Sequence, residues 1–252
     1  MKNKLIQLLP VKAYLHLRWW DYKINRKKYF DNVQSLRLRD THEWSSYKPF
    51  DQSKSIFVHV PKCAGIAVNK ALYGNLAGGH TSLDEYINVF EPSNFTSYFK
   101  FTFVRNPWDR VVSAYTFLQK GGFNKWDRAF FNDELSHYDN FHDFVCHWLT
   151  PENITKHHHF KPQYSYIIDK YNRVSVDYIG YFENIEEDFE TIKTKIGVDV
   201  QLEKKNAVNR KNYIDYYDDE TITIVERVYE KDIKLFDYCF DRPKRFVRTL
   251  KL

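Results

Sequence analysis

Lys62, Arg105 and Ser113 are the side chains whose types and settings point to chemistry. Lys62 sits in Val60-Pro61-Lys62-Cys63-Ala64-Gly65, a small-residue turn between the apolar run Ile56 to Val60 and a stretch of helix formers. A strand, a turn carrying a lysine and a helix start together bind phosphate-like anions, because turn amides and helix dipole both favour negative charge. The turn is not the G-x-x-x-x-G-K-S/T loop of nucleotide triphosphatases: the lysine precedes the glycine, and no Ser or Thr follows to hold magnesium. Arg105 ends a second run, Phe99 to Val104, and Ser113 lies further along the helix that Asn106-Pro107 would open. Two cationic sites at two strand ends suit a ligand with two separated anionic groups.

The elements that must position these groups follow from the pattern. Residues 55–60, Ser-Ile-Phe-Val-His-Val, read as a buried strand, and Ala64 to Tyr73 as a helix. A loop with Gly78-Gly79 leads to a short helix over Leu83 to Phe90. Residues 99–104 read as a second strand. Asn106 suits an N-cap and Pro107 a first helical position, so a helix runs to about Gln119 and stops at Gly121-Gly122. Phe141 to Leu149 reads as a helix. Tyr164 to Ile168 and Val174 to Ile179 read as short strands around a turn. Asn184 and Glu187 have capping-box spacing, opening a helix that Gly197 closes near Ile196. Asp218 to Phe236 reads as one long amphipathic helix. Strands alternating with helices give the fold class: α/β, with a parallel central sheet flanked by helices. In such a sheet ligands bind beyond the carboxyl ends of the strands, where Lys62 and Arg105 would stand if their strands are neighbours.

The composition bounds the rest. The chain has 252 residues, 43% hydrophobic and 18% aromatic, which is ample for an ordered core and unlike a disordered chain. Residues 1–50, rich in Arg, Lys, Trp and Tyr without a clear period, read as an N-terminal extension, and 51–252 as the domain. A net charge of +5 suits an anionic ligand and is too weak to argue for nucleic acid, for which no binding motif is present. Cys63, Cys146 and Cys239 form neither a zinc ribbon nor a disulfide framework, which fits a reducing compartment. The longest N-terminal apolar run, Leu5 to Val11, is too short for a span of about 20 residues or a signal peptide. An amphipathic segment touching a partner or a membrane surface fits residues 1–50 instead.

Arg105-Asn-Pro-Trp-Asp-Arg110-x-x-Ser113-x-Tyr115 after an aromatic strand, preceded by Val-Pro-Lys-Cys-Ala-Gly, resembles the carbohydrate sulfotransferase family. Residues 159–167, 176–189 and 208–240 resemble its downstream sequence, so the similarity covers about residues 55–240. The resemblance implies a P-loop-like sulfotransferase fold and transfer of a sulfuryl group from 3′-phosphoadenosine 5′-phosphosulfate (PAPS), without a metal ion, to a hydroxyl of a carbohydrate or polysaccharide. It places Pro61, Lys62, Cys63, Ala64, Gly65, Ile66 and Ala67 around the 5′-phosphosulfate and Arg105 and Ser113 on the 3′-phosphate. Arg210 and Lys211, before the last helix, would also reach that phosphate. His80, in Gly-Gly-His-Thr-Ser, is the candidate general base, with Glu85 and Asp84 as the other candidates. Without a membrane anchor, the expectation is a soluble cytoplasmic member, bacterial or viral, rather than a Golgi-type one.

This sequence departs from the family loop, which usually ends P-K-C-A-G-T-S: Ile66 and Ala67 take the places of two hydroxyl donors. Other readings therefore stand beside the first: sulfation of a small non-sugar alcohol or phenol, or a non-catalytic binder of PAPS or its desulfated product. A phosphoryl-transferring kinase is opposed by the missing G-K-S/T and by the Arg105–Ser113 motif. Arg110 reads as a brace for the loop and Asp109 as an arginine partner. Cys63 reads as a packing thiol. His157-His158-His159 invites a metal, but consecutive histidines cannot all face one ion in regular structure, and no carboxylate pattern accompanies them. They read as lining the acceptor cleft or a solvated loop.

Overall fold

The computed structural model describes residues 9–40, 46–203 and 211–241. Helices α1 (Val11–Asn25) and α2 (Lys27–Leu38) come first, then α3 (Lys48–Ser53), β1 (Ser55–Val58) and α4 (Gly65–Tyr73). The chain continues through α5 (Leu83–Tyr86), α6 (Pro92–Ser97), β2 (Phe99–Val104), α7 (Pro107–Gln119), α8 (Lys125–Phe130) and α9 (Phe141–His147). Then come α10 (Tyr164–Ile167), β3 (Tyr178–Tyr181), α11 (Ile185–Ile196), α12 (Asp219–Val228) and α13 (Glu230–Phe236).

Among the described residues the sheet is three-stranded and parallel, in the order β1-β2-β3. Phe57 pairs with Phe101 and Phe101 with Tyr178, so aromatic residues run across the sheet in register. Phe57 and Phe101 stack at 5.0 Å between centroids. Parallel strands need long crossovers, and helices cover the sheet, so β1 and β2 bury nearly every residue. This is the expected α/β class with a P-loop-like strand–loop–helix start. The parallel order sets the segments after β1, β2 and β3 at one edge of the sheet.

Local chemistry explains most boundaries. The Asn106 side chain accepts from the amides of Trp108 and Asp109, fixing the start of α7. The amides of Gly121 and Gly122, both at positive φ, then close it onto the carbonyls of Leu118 and Phe117.

Four expectations are corrected. Tyr164–Ile167 is a helix, not a strand, because the buried Asp232 carboxylate accepts from the amides of Gln163 and Tyr164 and so caps a helical turn. Only Tyr178–Tyr181 joins the sheet beyond it; Ile168 and Val174 make an isolated bridge. Asn184 does not cap α11; its side chain donates to Glu187 at 3.0 Å instead. The long helix over 218–236 is broken at Tyr229, whose φ of −110° leaves the helical region. The break lets Tyr229 donate to the carbonyl of Phe160 while Asp232 also faces inward.

The N-terminal segment is more regular than its sequence suggests. Tyr14, Leu15 and Val33 of α1 and α2 join the core of the fold, and the buried Phe30 packs against Trp19 of α1. Arg18 pairs with Asp84, and Arg37 with Asp51 and Glu91. Leu17, Trp20 and Ile24 of α1 stay exposed. No described helix is long and apolar enough to cross a membrane.

Candidate functional site

A cleft of about 990 Å³ opens at the carboxyl edge of the sheet. Lys62, Ala64, Gly65, Ile66 and Ala67 line it from the loop after β1, and Arg105 and Ser113 from the end of β2 and from α7. His80 completes this set of expected residues. Pro61 and Cys63, expected in the same site, are buried behind the cleft surface. Lys211 is exposed and does not line it, and Arg210 lies outside the described residues.

The backbone of the loop after β1 could hold an anion. Lys62 and Ala64 have φ of 70° and 60°, a left-handed conformation that side chains other than glycine rarely adopt. Alternating hands of backbone turn successive amides toward one concavity, a nest for negative charge. Helix α4 starts at once, adding its N-terminal amides and dipole. Lys62 lays its ammonium 3.7 Å from the Phe117 ring centroid. Gly65 is required by close approach: a Cβ there would stand 1.8 Å from His59 Cδ2.

Arg105 ties the two halves together. Its Nη1 donates to the Lys62 carbonyl at 3.0 Å, and Asp109 takes Nε and Nη2, each at 2.7 Å. Its guanidinium lies 4.0 Å from the Phe182 ring centroid, just after β3. A guanidinium carries five N–H donors, so this pairing still leaves donors for an anion in the cleft. Behind it, the buried Gln163 both accepts from the Arg105 amide and donates to the Arg105 carbonyl, each at 2.8 Å. The Cys63 thiol donates to the same Gln163 side chain at 3.3 Å, and burial pushes that thiol up to about 12, so it is a packing group. Arg110 braces the site as expected, donating to the carbonyls of His159 and Lys161.

Histidines form the other wall. His59, His80 and His159 line the cleft, and His80 stands 4.3 Å from His59, 5.0 Å from His158 and 6.0 Å from His159 between ring centroids. Burial, then the neighbouring His158, pushes His80 down to about 4. Burial pushes His59 and His159 well below the ordinary histidine value. The His80 Nδ1 lies 3.2 Å from the His59 carbonyl, which can only accept. Nδ1 therefore carries the proton of the neutral ring, and Nε2 keeps its lone pair. Of the other base candidates, Glu85 accepts from the Ser82 amide in a capping box and Asp84 pairs with Arg18; neither lines the cleft.

The sequence reading missed His59, Phe117, Phe182 and Gln163. Gln163 had no motif of its own, since its role exists only where remote segments meet. His59 did carry a signal: it ends the strand run that delivers the Pro-Lys loop. The "solvated loop" alternative for residues 157–159 is overturned, because His157 and His159 are buried.

A parallel sheet, a Pro-Lys loop at its carboxyl edge and an Arg–Ser pair from the next strand and helix thus meet in one cleft. Residues 46–239 match the sulfotransferase family, and the chain belongs to it. The chain is also 36% identical, over 122 residues, to an uncharacterized protein of Archaeoglobus fulgidus; that match takes in 47% of this chain and 85% of the relative. No solved structure matches.

Proposed function

We propose that the chain transfers a sulfuryl group from PAPS to a hydroxyl of a carbohydrate acceptor. One observation carries this reading: the nest loop with Lys62 and the Arg105–Ser113 pair line a single cleft and are joined through the Arg105 bond to the Lys62 carbonyl. In this reading the amides at the start of α4 and Lys62 hold the 5′-phosphosulfate, and Arg105 and Ser113 hold the 3′-phosphate.

Sulfuryl transfer, like phosphoryl transfer, runs in line through a loose transition state, so positioning and charge supply most of the catalysis. The acceptor oxygen forms the new bond to sulfur as the bond from sulfur to the bridging phosphate oxygen breaks. Lys62 leaves the Phe117 face to neutralise charge on that oxygen. His80 Nε2 takes the acceptor's proton, and 3′-phosphoadenosine 5′-phosphate departs. A highly anionic donor beside His80 raises the ring's proton affinity at the moment a base is needed.

A non-catalytic binder of the same nucleotide is the second reading, favoured by Ile66 and Ala67 lining the cleft where hydroxyls would donate. Calorimetric titration with 3′-phosphoadenosine 5′-phosphate, with AMP and ATP as controls, separates the cases. Micromolar binding that needs the 3′-phosphate supports the donor assignment; no binding, or a preference for ATP, overturns it. Turnover with sugar acceptors, against small alcohols and phenols, then decides between an enzyme of this acceptor class, another acceptor class and a binder.

A further inference from the structure

We propose that Asp127, His157, His158 and His159 form a divalent-metal site, with zinc as its ion, beside the cleft and sharing His159 with its histidine wall. The objection from regular structure does not apply, because residues 157–159 lie in a turn after Asn153–Thr155 rather than in a helix or strand. The missing carboxylate comes from α8. One ligand atom from each of the four residues lies within 4.8 Å of all the others.

Two of the distances come near those of a zinc site. Ligands about 2.0–2.1 Å from a tetrahedral zinc stand about 3.3 Å apart along an edge. Asp127 Oδ1 is 3.3 Å from His157 Nε2 and 3.9 Å from His159 Nε2. Three imidazoles and one carboxylate make a closed, borderline-soft set that zinc accepts. The ligands are held as metal ligands usually are. Asp127 Oδ2 accepts from the Phe123 amide at 2.8 Å, which fixes the carboxylate. A Cβ at Gly122 would stand 2.2 Å from Asp127 Cβ, so the glycine makes room for it. The turn is pinned by Arg110 on the His159 carbonyl and by Tyr166 on the His158 carbonyl, each at 2.9 Å.

A simple Asp127–His157 pair would explain part of this arrangement. It does not explain why two more imidazoles converge there. One contact must give way. His157 Nδ1 accepts from the His159 amide at 3.3 Å, and a metal on Nε2 moves the ring proton to Nδ1. The other histidine cluster, His142, Cys146 and Glu220, is largely exposed and serves as the control.

The test uses the full chain without a polyhistidine tag, dialysed against zinc and then against metal-free buffer. Elemental analysis should find about one zinc per chain, and cobalt in its place should give the strong visible bands of four-coordinate geometry. Asp127→Asn and His159→Gln should each lower zinc affinity tenfold or more; His142→Gln should leave it unchanged. No retained zinc and no cobalt bands in the unaltered chain overturn the proposal, as does equal affinity in Asp127→Asn and His159→Gln. Should these variants fail to fold, nitrogen-15 spectra of the unaltered chain decide the matter. Zinc should shift the ring nitrogens of His157, His158 and His159; shifts confined to His142, or none, refute the site.

Discussion

Replacing Arg105 tests the site and its support together. Its side chain and that of Asp109 are 8% and 11% exposed, so they form a buried pair. Removing one partner of such a pair costs about 3–5 kcal/mol, against a total stability of about 5–15 kcal/mol for a typical domain. Arg105→Ala is therefore expected to lose donor affinity and much of its thermal stability at once, and alone it would not distinguish a binding role from a structural one. The double variant Arg105→Ala/Asp109→Asn removes the stranded charge and should recover a large part of the stability. It should not recover the donor. Each charge-assisted hydrogen bond to the 3′-phosphate contributes about 1.5–3 kcal/mol, so its loss weakens 3′-phosphoadenosine 5′-phosphate by about 10- to 150-fold. AMP, which lacks that phosphate, should lose only what release of the Lys62 carbonyl costs the loop, far less than the bisphosphate loses. Calorimetry with both nucleotides, beside a melting curve, reads each part. Unchanged affinity for the bisphosphate in the double variant, or an equal loss for AMP, would refute the assignment of Arg105.

Four further outcomes are expected. His80→Gln should bind 3′-phosphoadenosine 5′-phosphate as before and lose turnover by about 100- to 10,000-fold; retained turnover would move the base elsewhere. Ile66→Thr with Ala67→Ser should tighten the nucleotide by about tenfold or more by calorimetry, and no gain would mean that the backbone already satisfies the anion. Removing zinc with a chelator should leave nucleotide affinity unchanged, since the donor groups assigned here include none of the four metal ligands; a parallel loss would tie the two sites together. Burial pushes the Asp51 carboxyl up, but hydrogen bonds from Arg37 at 2.9 Å and Tyr98 at 2.6 Å outweigh it and hold the group below its ordinary value. A lowered carboxylate stabilises the fold above its unfolded pKa, and that contribution fades as pH falls through the folded value. Melting curves from neutral to acid pH should thus show a smaller acid loss for Asp51→Asn than for the unaltered chain.

What the sequence disclosed were features built from neighbouring residues. The β1–loop–α4 unit, the span of β2 and the Asn106 cap of α7 depend on local periodicity and turn chemistry, and they stand where the pattern put them. Features made by distant residues stayed hidden. Tyr164 to Ile168 has a strand-like composition, and only the remote Asp232 carboxylate makes its start helical. The helix over 218–236 is continuous as a pattern, and the inward demands of Tyr229 and Asp232 divide it. The same holds in the cleft. Lys62, Arg105 and Ser113 were legible because a motif groups them, whereas His59 and Phe182 join them only through the sheet. Asp127 lies far from the histidine run in sequence, so the run looked unsupported.

The glycine of the Pro-Lys loop has a consequence for how this chain can change over time. Its missing side chain makes room for the His59 imidazole, which fills the space a Cβ would need. The anion loop and the histidine wall are thus not free to drift separately. An alanine at position 65 becomes tolerable only after position 59 has shrunk, so the order of substitutions matters, and the two changes together should harm the chain less than their separate effects predict. A descendant that has lost the glycine should carry a small residue where His59 stands here, and with it a differently shaped cleft.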